Sequence, residues 1–222
     1  MSEEGSPPRR RDAALNDRKI LDAARAVFVA DPTAPVGEVA RHAGVGMAAL
    51  YRRYPSKEEL LRALCAEGLS RYIEAAETAL ASGAEPWERL ASFMRAAVDA
   101  DASSLTVRLA GTFTPTVDLY RAATHAGELN VELFEAAQAA GAVRPDADVN
   151  DLALIFEQLA SIRLGNELRR RELRRRYLAL ALDGLRATSR GPLPSEPPGS
   201  DELTARWRVG GASRTSRSSA AG

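Results

Sequence analysis

Residues 36–61 read VGEVARHAGVGMAALYRRYPSKEELL, and this stretch decides the fold. It contains two short segments with helical spacing of apolar residues, 35–43 and 46–54, on either side of Gly44. Glycine readily adopts the left-handed conformation that ends a helix in a tight turn. Two short helices joined by such a turn predict a helix-turn-helix.

A longer helix is predicted directly after the second short one. Pro55 interrupts the helical pattern, and Ser56 behind it is a suitable N-cap residue. Glu59 lies three residues after this serine, which is the spacing of a capping box. The apolar residues of this helix continue as far as Gly83, which marks its end.

Further helices are predicted on both sides of this centre. Before it, an apolar stripe indicates a helix from Ala13 to Ala30, which ends at Asp31-Pro32 because the residue before a proline is disfavoured in a helix. No segment shows sustained strand alternation, so the sequence predicts an all-α fold. After the centre, the spacing predicts helices over 86–98, 103–112, 115–140, 152–162 and 173–185, with a loop over 143–151.

The amino-acid composition limits the class of protein and the division of the chain into domains. The 222 residues are 45% apolar, enough to build a core. The single cysteine, Cys65, excludes an internal disulfide and is more typical of a small core residue than of a redox sensor. No apolar run reaches about 18 residues and the start of the chain has no apolar signal core, so we expect a cytoplasmic protein. We expect a disordered arm over 1–12, a head over 13–58, a body over 59–188 and a disordered tail over 189–222.

Positive charge is concentrated around the predicted helix-turn-helix. Residues 9–57 contain ten arginines and lysines against five aspartates and glutamates, although the net charge of the whole chain is zero. Neutralisation of phosphates supplies much of the affinity of proteins for duplex DNA. The local excess of positive charge therefore favours DNA binding, and the alternative is an ordinary solvated face.

The same residues resemble a known family. Ala43-Gly44-Val45, Leu50-Tyr51, Arg53-Tyr54 and Ser56-Lys57 follow the pattern of the DNA-binding heads of the Tet-repressor (TetR) family of bacterial transcription regulators. The resemblance is strong over residues 13–65, and beyond them the number and length of the helices agree. It implies a three-helix helix-turn-helix head joined by a long helix to a helical body, which binds a small ligand and forms a homodimer through the last two long helices. Ligand binding would move the fourth helix and release the DNA.

The resemblance implies which side chains contact the DNA backbone. Tyr51, Arg53 and Lys57 match positions that contact phosphates, and their hydroxyl, guanidinium and ammonium groups are good phosphate donors. The chain departs from the family at two points. Ala49 stands where the family often has a phosphate-binding threonine, and Pro35 stands where it often has serine or threonine at the start of the second helix.

The remaining residues of the second short helix are expected at the floor of the major groove. Gly46, Met47 and Ala48 are small or apolar, so they can pack on thymine methyl groups, and Arg52 beside them can reach phosphate or guanine. The predicted DNA-binding set is Arg41, Gly46, Met47, Ala48, Ala49, Tyr51, Arg52, Arg53, Tyr54 and Lys57.

A ligand cavity is expected between the helices of the body. Its candidate residues are mostly apolar and occupy helical stripes, so core packing is the alternative for each of them. For an acidic ligand, Arg163 would be the first choice as partner. The candidates are Trp87, Phe93, Met94, Phe113, Tyr120, His125, Leu129, Phe134, Phe156 and Arg163.

Two other sets of residues have more than one interpretation. Residues 168–177, LRRRELRRRY, carry six arginines, which could form a second nucleic-acid site or a solvated face near a dimer interface, with Glu167 and Glu172 as acidic partners. The two histidines lie far apart, and one cysteine with two histidines does not form a familiar metal site. We therefore expect a surface position for His42, a partly buried one for His125, and no metal or cofactor.

These observations together predict a ligand-responsive DNA-binding regulator. It would act as a repressor, bind a palindromic operator as a dimer with half-sites roughly 34–36 Å apart, and leave the operator when a small-molecule effector binds. One alternative is a DNA-binding regulator without a ligand response. The other is an enzyme on a helical scaffold, for which the sequence contains no cluster of titratable residues, phosphate-cradling loop or metal motif.

Overall fold

The computed structural model describes residues 8–31, 33–101, 112–187 and 191–205. Within these ranges the protein is all-α, as predicted, with an isolated antiparallel bridge between Val143 and Arg186. None of the helices in these ranges has both the length and the apolar character that a membrane span requires. Numbered in chain order, the described helices are α1 (Pro8–Ala30), α2 (Val36–Ala43), α3 (Met47–Arg53), α4 (Lys57–Ala81), α5 (Pro86–Asp99), α6 (Val117–Ala139), α7 (Asp151–Ala160), α8 (Glu167–Leu185) and α9 (Ser200–Ala205).

Helices α1, α2 and α3 and the first half of α4 share one hydrophobic core, which we call the head. The apolar stripe of α1 packs against the inward faces of the two short helices and of α4. Burial of these side chains is what holds helices of only seven and eight residues in place, since helices this short are not stable alone. The fully buried members of this core include Ile20, Phe28, Val39, Leu50 and Leu60.

Helix α4 connects the head to the rest of the molecule. The hydroxyl oxygen of Ser56 accepts a hydrogen bond of 3.1 Å from the backbone N–H of Glu59, which confirms the predicted N-cap. The helix has 25 residues and is about 38 Å long. Its second half, with Ala76 and Ala79 buried, belongs to a second core.

This second core, formed by the rest of α4 with α5, α6, α7 and α8, defines the body. Near its centre the ring of Phe93 packs edge-on against Tyr72, with 5.0 Å between ring centroids, and Phe156 lies 5.8 Å from Tyr72. Such aromatic pairs add about 0.5–1.5 kcal/mol each beyond the area they bury. The Tyr72 hydroxyl donates to Asn130 at 3.0 Å, so this cluster joins α4, α5, α6 and α7.

Arginines at the start of α8 make hydrogen bonds and ion pairs within the protein. Arg174, expected at the surface under both interpretations, is instead buried, and its guanidinium donates to the carbonyl oxygen of Leu159 at 3.2 Å and to the carboxylate of Asp101 at 2.6 Å. A positive group at the last carbonyls of α7 is favoured by the helix dipole, which explains the burial. Around it, Glu172 pairs with Arg169, Glu167 pairs with Arg170 and Arg171, and Asp99 pairs with Arg175. Glu167 and Glu172 are thus confirmed as acidic partners.

The two ends of the chain differ from the sequence-based expectation. Residues 8–12, predicted as part of a disordered arm, form the start of α1, because Pro8 is well suited to the first helical position. In the predicted disordered tail, the backbone N–H of Leu193 donates to the carboxylate of Asp146 at 2.7 Å and residues 200–205 form α9. The helix predicted at 103–112 falls outside the described residues, apart from Thr112, which lies in a turn.

Candidate nucleic-acid interface

The turn between α2 and α3 has the geometry that the sequence predicts. Gly44 has a φ of 67°, in the left-handed region, and ends α2. The backbone N–H of Val45 then donates to the carbonyl oxygen of Ala40 at 3.0 Å, which closes the end of the helix. A short extended step through Gly46 leads into α3 at Met47. This turn fixes the angle at which α3 leaves α2.

Helix α3 has one buried side and one exposed side. Leu50 is fully buried and holds the helix against the head core. Met47 is 41% exposed and Tyr51 is 44% exposed, and Ala48 and Arg52 beside them are exposed as well. The exposed side therefore offers small, apolar, hydroxyl and guanidinium groups together, which suits contacts with both base edges and phosphates.

Three other residues of the predicted DNA-binding set are exposed or partly exposed. Arg41, on α2, is exposed, and so is Gly46 at the start of α3. Ala49 is half-buried, so it lies at the edge of the exposed side. These three residues and the four named on α3 are thus accessible at the surface of the head.

Tyr54 and Arg53 are held by an aspartate of α1. Tyr54 is buried in the head core, and its hydroxyl donates to a carboxylate oxygen of Asp17 at 2.6 Å. Arg53 donates to the same carboxylate through Nε and Nη2, both at 2.8 Å. The prediction of Tyr54 as a DNA contact is therefore wrong, because its ring packs in the core and its hydroxyl has an internal acceptor. The Arg53 side chain remains largely exposed.

The charges of this cluster stabilise one another. The hydrogen bond from Arg53 lowers the pKa of Asp17 below its usual value of 3.8, against the opposing effect of burial. The same bond raises the pKa of Arg53, and burial, followed by the bond to Asp17, raises the pKa of Tyr54. Since the pKa of Asp17 is lowered on folding, its stabilising contribution is complete at neutral pH and is lost as pH falls through that lowered value. Asp17 lies 36 residues from Arg53, and no local pattern in the sequence reveals the contact.

Lys57, also predicted as a phosphate contact, makes contacts within the head. Its ammonium donates to the carbonyl oxygen of Ala34 at 2.8 Å and lies 5.0 Å from the centre of the Phe28 ring. A desolvated cation over an aromatic face is a favourable contact. A phosphate contact by Lys57 would have to compete with this hydrogen bond, so the contacts seen here favour a role in holding the loop before α2.

Replacing Asp17 with asparagine should strengthen binding to DNA of any sequence. The change releases the Arg53 guanidinium and removes a negative charge from the head, and it should steepen the slope of log affinity against log salt by up to about one unit. The same change should lower the free energy of unfolding by about 1–2 kcal/mol, because the three charge-assisted hydrogen bonds that Arg53 and Tyr54 donate to Asp17 are weakened. Fluorescence anisotropy over a salt series, together with chemical unfolding, measures both effects.

The matched control is Asp22→Asn. Asp22 is exposed on the same helix and its substitution makes the same change of charge. If both variants raise the DNA affinity and the salt slope equally, only net charge matters and the release of Arg53 has no part in the effect.

The structure does not bring the predicted ligand residues into one cavity. Phe113 packs in the head core, away from the others. Tyr120, His125 and Arg163 are exposed, so the prediction that His125 is partly buried is wrong; its ring lies 3.4 Å from a carboxylate oxygen of Glu77. The remaining candidates are buried together in the body core: Trp87, Phe93, Met94, Leu129, Phe134 and Phe156.

A groove that the sequence did not indicate lies between the head and the body. It has a volume of about 700 Å³ and is bounded by α1, α4 and α6, and we call it the junction groove. Leu21, Ile73 and Leu119 are among its apolar residues, and Arg53 and Tyr54 lie at its head end. The volume is within the range of small-molecule sites, about 300–1,000 Å³.

The titratable groups do not suggest metal or thiol chemistry in the described ranges. There, no group of three histidine, cysteine, aspartate or glutamate side chains is placed to hold a metal ion. Cys65 is buried in the head core, as predicted, and burial raises its pKa to about 12. The thiol therefore stays protonated at neutral pH.

Two family models match the chain. Residues 20–64, which include the helix-turn-helix, match the model of bacterial regulatory proteins of the tetR family. Residues 85–187 match the C-terminal domain of SbtR-like transcriptional regulators, and this range begins at the start of α5 and ends just after α8.

Individual proteins agree with these models. A TetR transcription regulatory protein of known structure from Mycobacterium vanbaalenii is 34% identical, and the alignment covers 81% of this chain and 99% of that chain with a TM-score of 0.52. The HTH-type transcriptional repressor LfrR of Mycolicibacterium smegmatis is 41% identical over 69 residues, which are 31% of this chain and 34% of that protein, so the match spans about a third of its length.

One further solved structure carries a bound molecule. The TetR-like transcriptional regulator LfrR from Mycobacterium smegmatis, in complex with proflavine, is 22% identical over 77% of this chain and 96% of that chain, with a TM-score of 0.52, a likeness that shows the fold alone. From the two family models and the relative from Mycobacterium vanbaalenii, and in agreement with the helix-turn-helix described above, the chain belongs to the TetR family of bacterial transcriptional regulators.

Proposed function

We propose that this protein is a repressor that binds a palindromic operator as a homodimer and releases it when a small-molecule effector binds. The observation that carries the proposal is the exposed side of α3. Met47, Ala48, Tyr51 and Arg52 face outward while Leu50 fixes the helix to the head, which is the arrangement a recognition helix needs to enter the major groove. The local excess of positive charge supplies attraction to the phosphates.

A homodimer through α7 and α8 is supported by an exposed apolar surface on these two helices. We call it the α7–α8 patch; it surrounds a shallow depression of about 810 Å³. Soluble monomers rarely expose large contiguous apolar patches, and such patches usually mark interfaces. The depression is lined by apolar side chains of the two helices and of the segment between them, of which Leu159 is buried: Ile155, Leu159, Ile162, Leu164, Leu173, Tyr177, Leu180 and Ala181.

The effector part of the proposal is supported by the junction groove and by the bound proflavine in the structure of LfrR. A molecule in this groove would lie against both α4 and α6 and would touch Arg53 and Tyr54 of the head. Proflavine serves as the first probe, and a panel of aromatic cations and carboxylic acids as the next. A ligand that binds the folded protein raises its melting temperature. If the panel leaves the melting temperature unchanged, the protein is a DNA-binding regulator without a ligand response.

DNA recognition is tested by selecting duplexes from a random-sequence library with the purified protein. We expect one palindromic sequence to be enriched. Compared on the enriched palindrome and on unrelated duplexes, Tyr51→Phe should weaken binding to all of them alike. It should also reduce the slope of log affinity against log salt by up to about one unit, because the hydroxyl is proposed to contact a phosphate. Met47→Ala should relax the preference at one base pair in each half-site, because Met47 is proposed to lie on the groove floor.

The two substitutions control for each other. Both residues are exposed on the same helix, so neither change should alter the free energy of unfolding by more than about 0.5 kcal/mol, or the melting temperature by more than about 2 °C. Failure to enrich any duplex would contradict the proposed function. An altered base preference in Tyr51→Phe with an unchanged salt slope would contradict its assignment to a phosphate.

A further inference from the structure

A network of ion pairs and hydrogen bonds joins the head to the body on the side of α1. Arg25 of α1 donates from Nη2 to the carboxylate of Glu67 in α4 at 3.2 Å. Its Nη1 lies 3.4 Å from the carbonyl oxygen of Asp101, which follows α5. Glu67 also pairs with Arg71. A single guanidinium thus connects the first helix of the head, the linking helix and the end of a body helix.

Through Asp101 the network of contacts continues to α8 and to the end of α7. The Asp101 carboxylate accepts from Arg174 of α8 at 2.6 Å, and the same guanidinium donates to the carbonyl oxygens of Leu159 and Ala160, at 3.2 and 3.5 Å, at the end of α7. The backbone of Asp101 has a φ of 51°, a left-handed conformation that aspartate tolerates better than most residues. This conformation lets one residue use its carbonyl group toward Arg25 and its carboxylate toward Arg174.

Burial strengthens the two ion pairs at the ends of this network. The side chains of Arg174 and Arg25 are only 6% and 12% exposed, and those of Glu67 and Asp101 are 24% exposed. Ion pairs in such surroundings are screened little by solvent, so the loss of one partner removes a stabilising contact. Arginine also presents its donors in a rigid planar fork, so each contact fixes an orientation as well as a distance.

The position of this network matters because it attaches the head to the body on an element other than α4 and other than the segment at the start of α6, where Phe113 lies in the head core and Leu119 packs against it. Helix α4 enters both cores, so attachments on other elements limit how far the head can pivot about it. In the described part of the molecule, the contact between Arg25 and Asp101 attaches α1 directly to the body, on a different element from α4. Each attachment away from α4 restricts rotation of the head about that helix.

We propose that Arg25 is a positioning residue for DNA binding: through Asp101 and Arg174 it fixes the orientation of the head on the body, and it thereby sets the distance between the two heads of a dimer. This inference rests on the proposed function, since it concerns how a dimer measures the spacing of two half-sites. A dimer gains from its second head only when both heads reach their half-sites together, so a loosely held head loses affinity for the correct spacing and tolerates incorrect ones.

The first test measures the heads without DNA. A nitroxide label on His42→Cys, an exposed position of α2, reports the distance between the two heads of a dimer by pulsed electron paramagnetic resonance. Cys65 should stay unlabelled because its thiol is buried and its pKa is raised to about 12. We expect one narrow distance distribution, and we expect Arg25→Met to broaden it at least about twofold. A broad distribution without the substitution, or an unchanged one with it, overturns the inference.

The second test uses DNA. The palindrome enriched by the protein is rebuilt with one or two base pairs inserted between its half-sites, and affinities are compared with that for a single half-site. The unsubstituted protein should lose about 10²-fold or more on insertion, because bivalent binding is lost. Arg25→Met should bind the single half-site as well as the unsubstituted protein does, but its discrimination against the inserted site should fall about tenfold.

Controls separate positioning from general destabilisation. Arg95→Met removes an exposed ion pair with Glu88 on α5, away from the head, and should leave the spacing preference unchanged. If Arg25→Met does not fold, Asp101→Asn takes its place, since asparagine keeps the left-handed backbone and the carbonyl group but loses the charge toward Arg174. Absence of any enriched duplex contradicts the proposed function, whereas an enriched duplex with an unaltered spacing preference in the folded variant contradicts this inference alone.

Discussion

Replacing Arg174 with methionine should lower the free energy of unfolding by about 3–5 kcal/mol. Methionine fills a similar volume, so the loss would come from the polar contacts rather than from a cavity. Asp101 would keep a partly buried carboxylate without this partner, and the last carbonyls of α7 would lose their donor. Urea unfolding followed by circular dichroism measures the change.

The matched control for this change is Arg176→Met. Arg176 is exposed on the same helix, two residues away, so its substitution removes the same charge from the surface. It should change the free energy of unfolding by no more than about 0.5 kcal/mol. Equal losses in the two variants would mean that the buried contacts of Arg174 add nothing beyond its charge.

Replacing Leu180 with arginine should weaken operator binding by about 10²–10⁴-fold, because a dimer that dissociates loses the gain from its second head. Leu180 is 59% exposed and lies in the α7–α8 patch, so the substitution should not disturb the core of the protomer. Two arginines brought together across a symmetric interface repel each other. Sedimentation equilibrium measures the loss of the dimer, and fluorescence anisotropy measures the loss of operator affinity.

Val117→Arg is the control for the patch. Val117 is an apolar residue of α6 that is 68% exposed and lies outside the patch. Its substitution should leave both the dimer and the operator affinity unchanged. If Leu180→Arg remains a dimer, the protomers associate through another surface.

The local parts of this fold were predictable from the sequence. The turn at Gly44 and the cap at Ser56 depend on residues within three or four positions of each other, and both were found where the sequence indicated. Leu50 was recognisable as an anchor from its helical spacing. The same local signals identify the exposed residues of α3, because the side chains of a short helix that do not face the core are exposed to solvent.

Contacts between distant parts of the chain were not predictable in this way. An apolar stripe reveals that Phe113 is buried, but not that it joins the head core rather than the body core. Nothing near Asp17 in the sequence indicates that it binds Arg53 and Tyr54. A weak signal did exist for Arg25, which lies on α1 between Leu21 and Phe28 of the apolar stripe, where a charge requires a buried partner.

Helix α4 contributes side chains to two hydrophobic cores, and this has a consequence for how the protein melts. Loss of the head would expose Leu60 and Leu64, and loss of the body would expose Ala76 and Ala79, on one continuous hydrogen-bonded helix. Fraying that starts in either half must stop inside this helix or spread along it. Head and body are therefore expected to unfold as one cooperative unit, with amide hydrogens in the middle of α4 among the slowest to exchange with solvent.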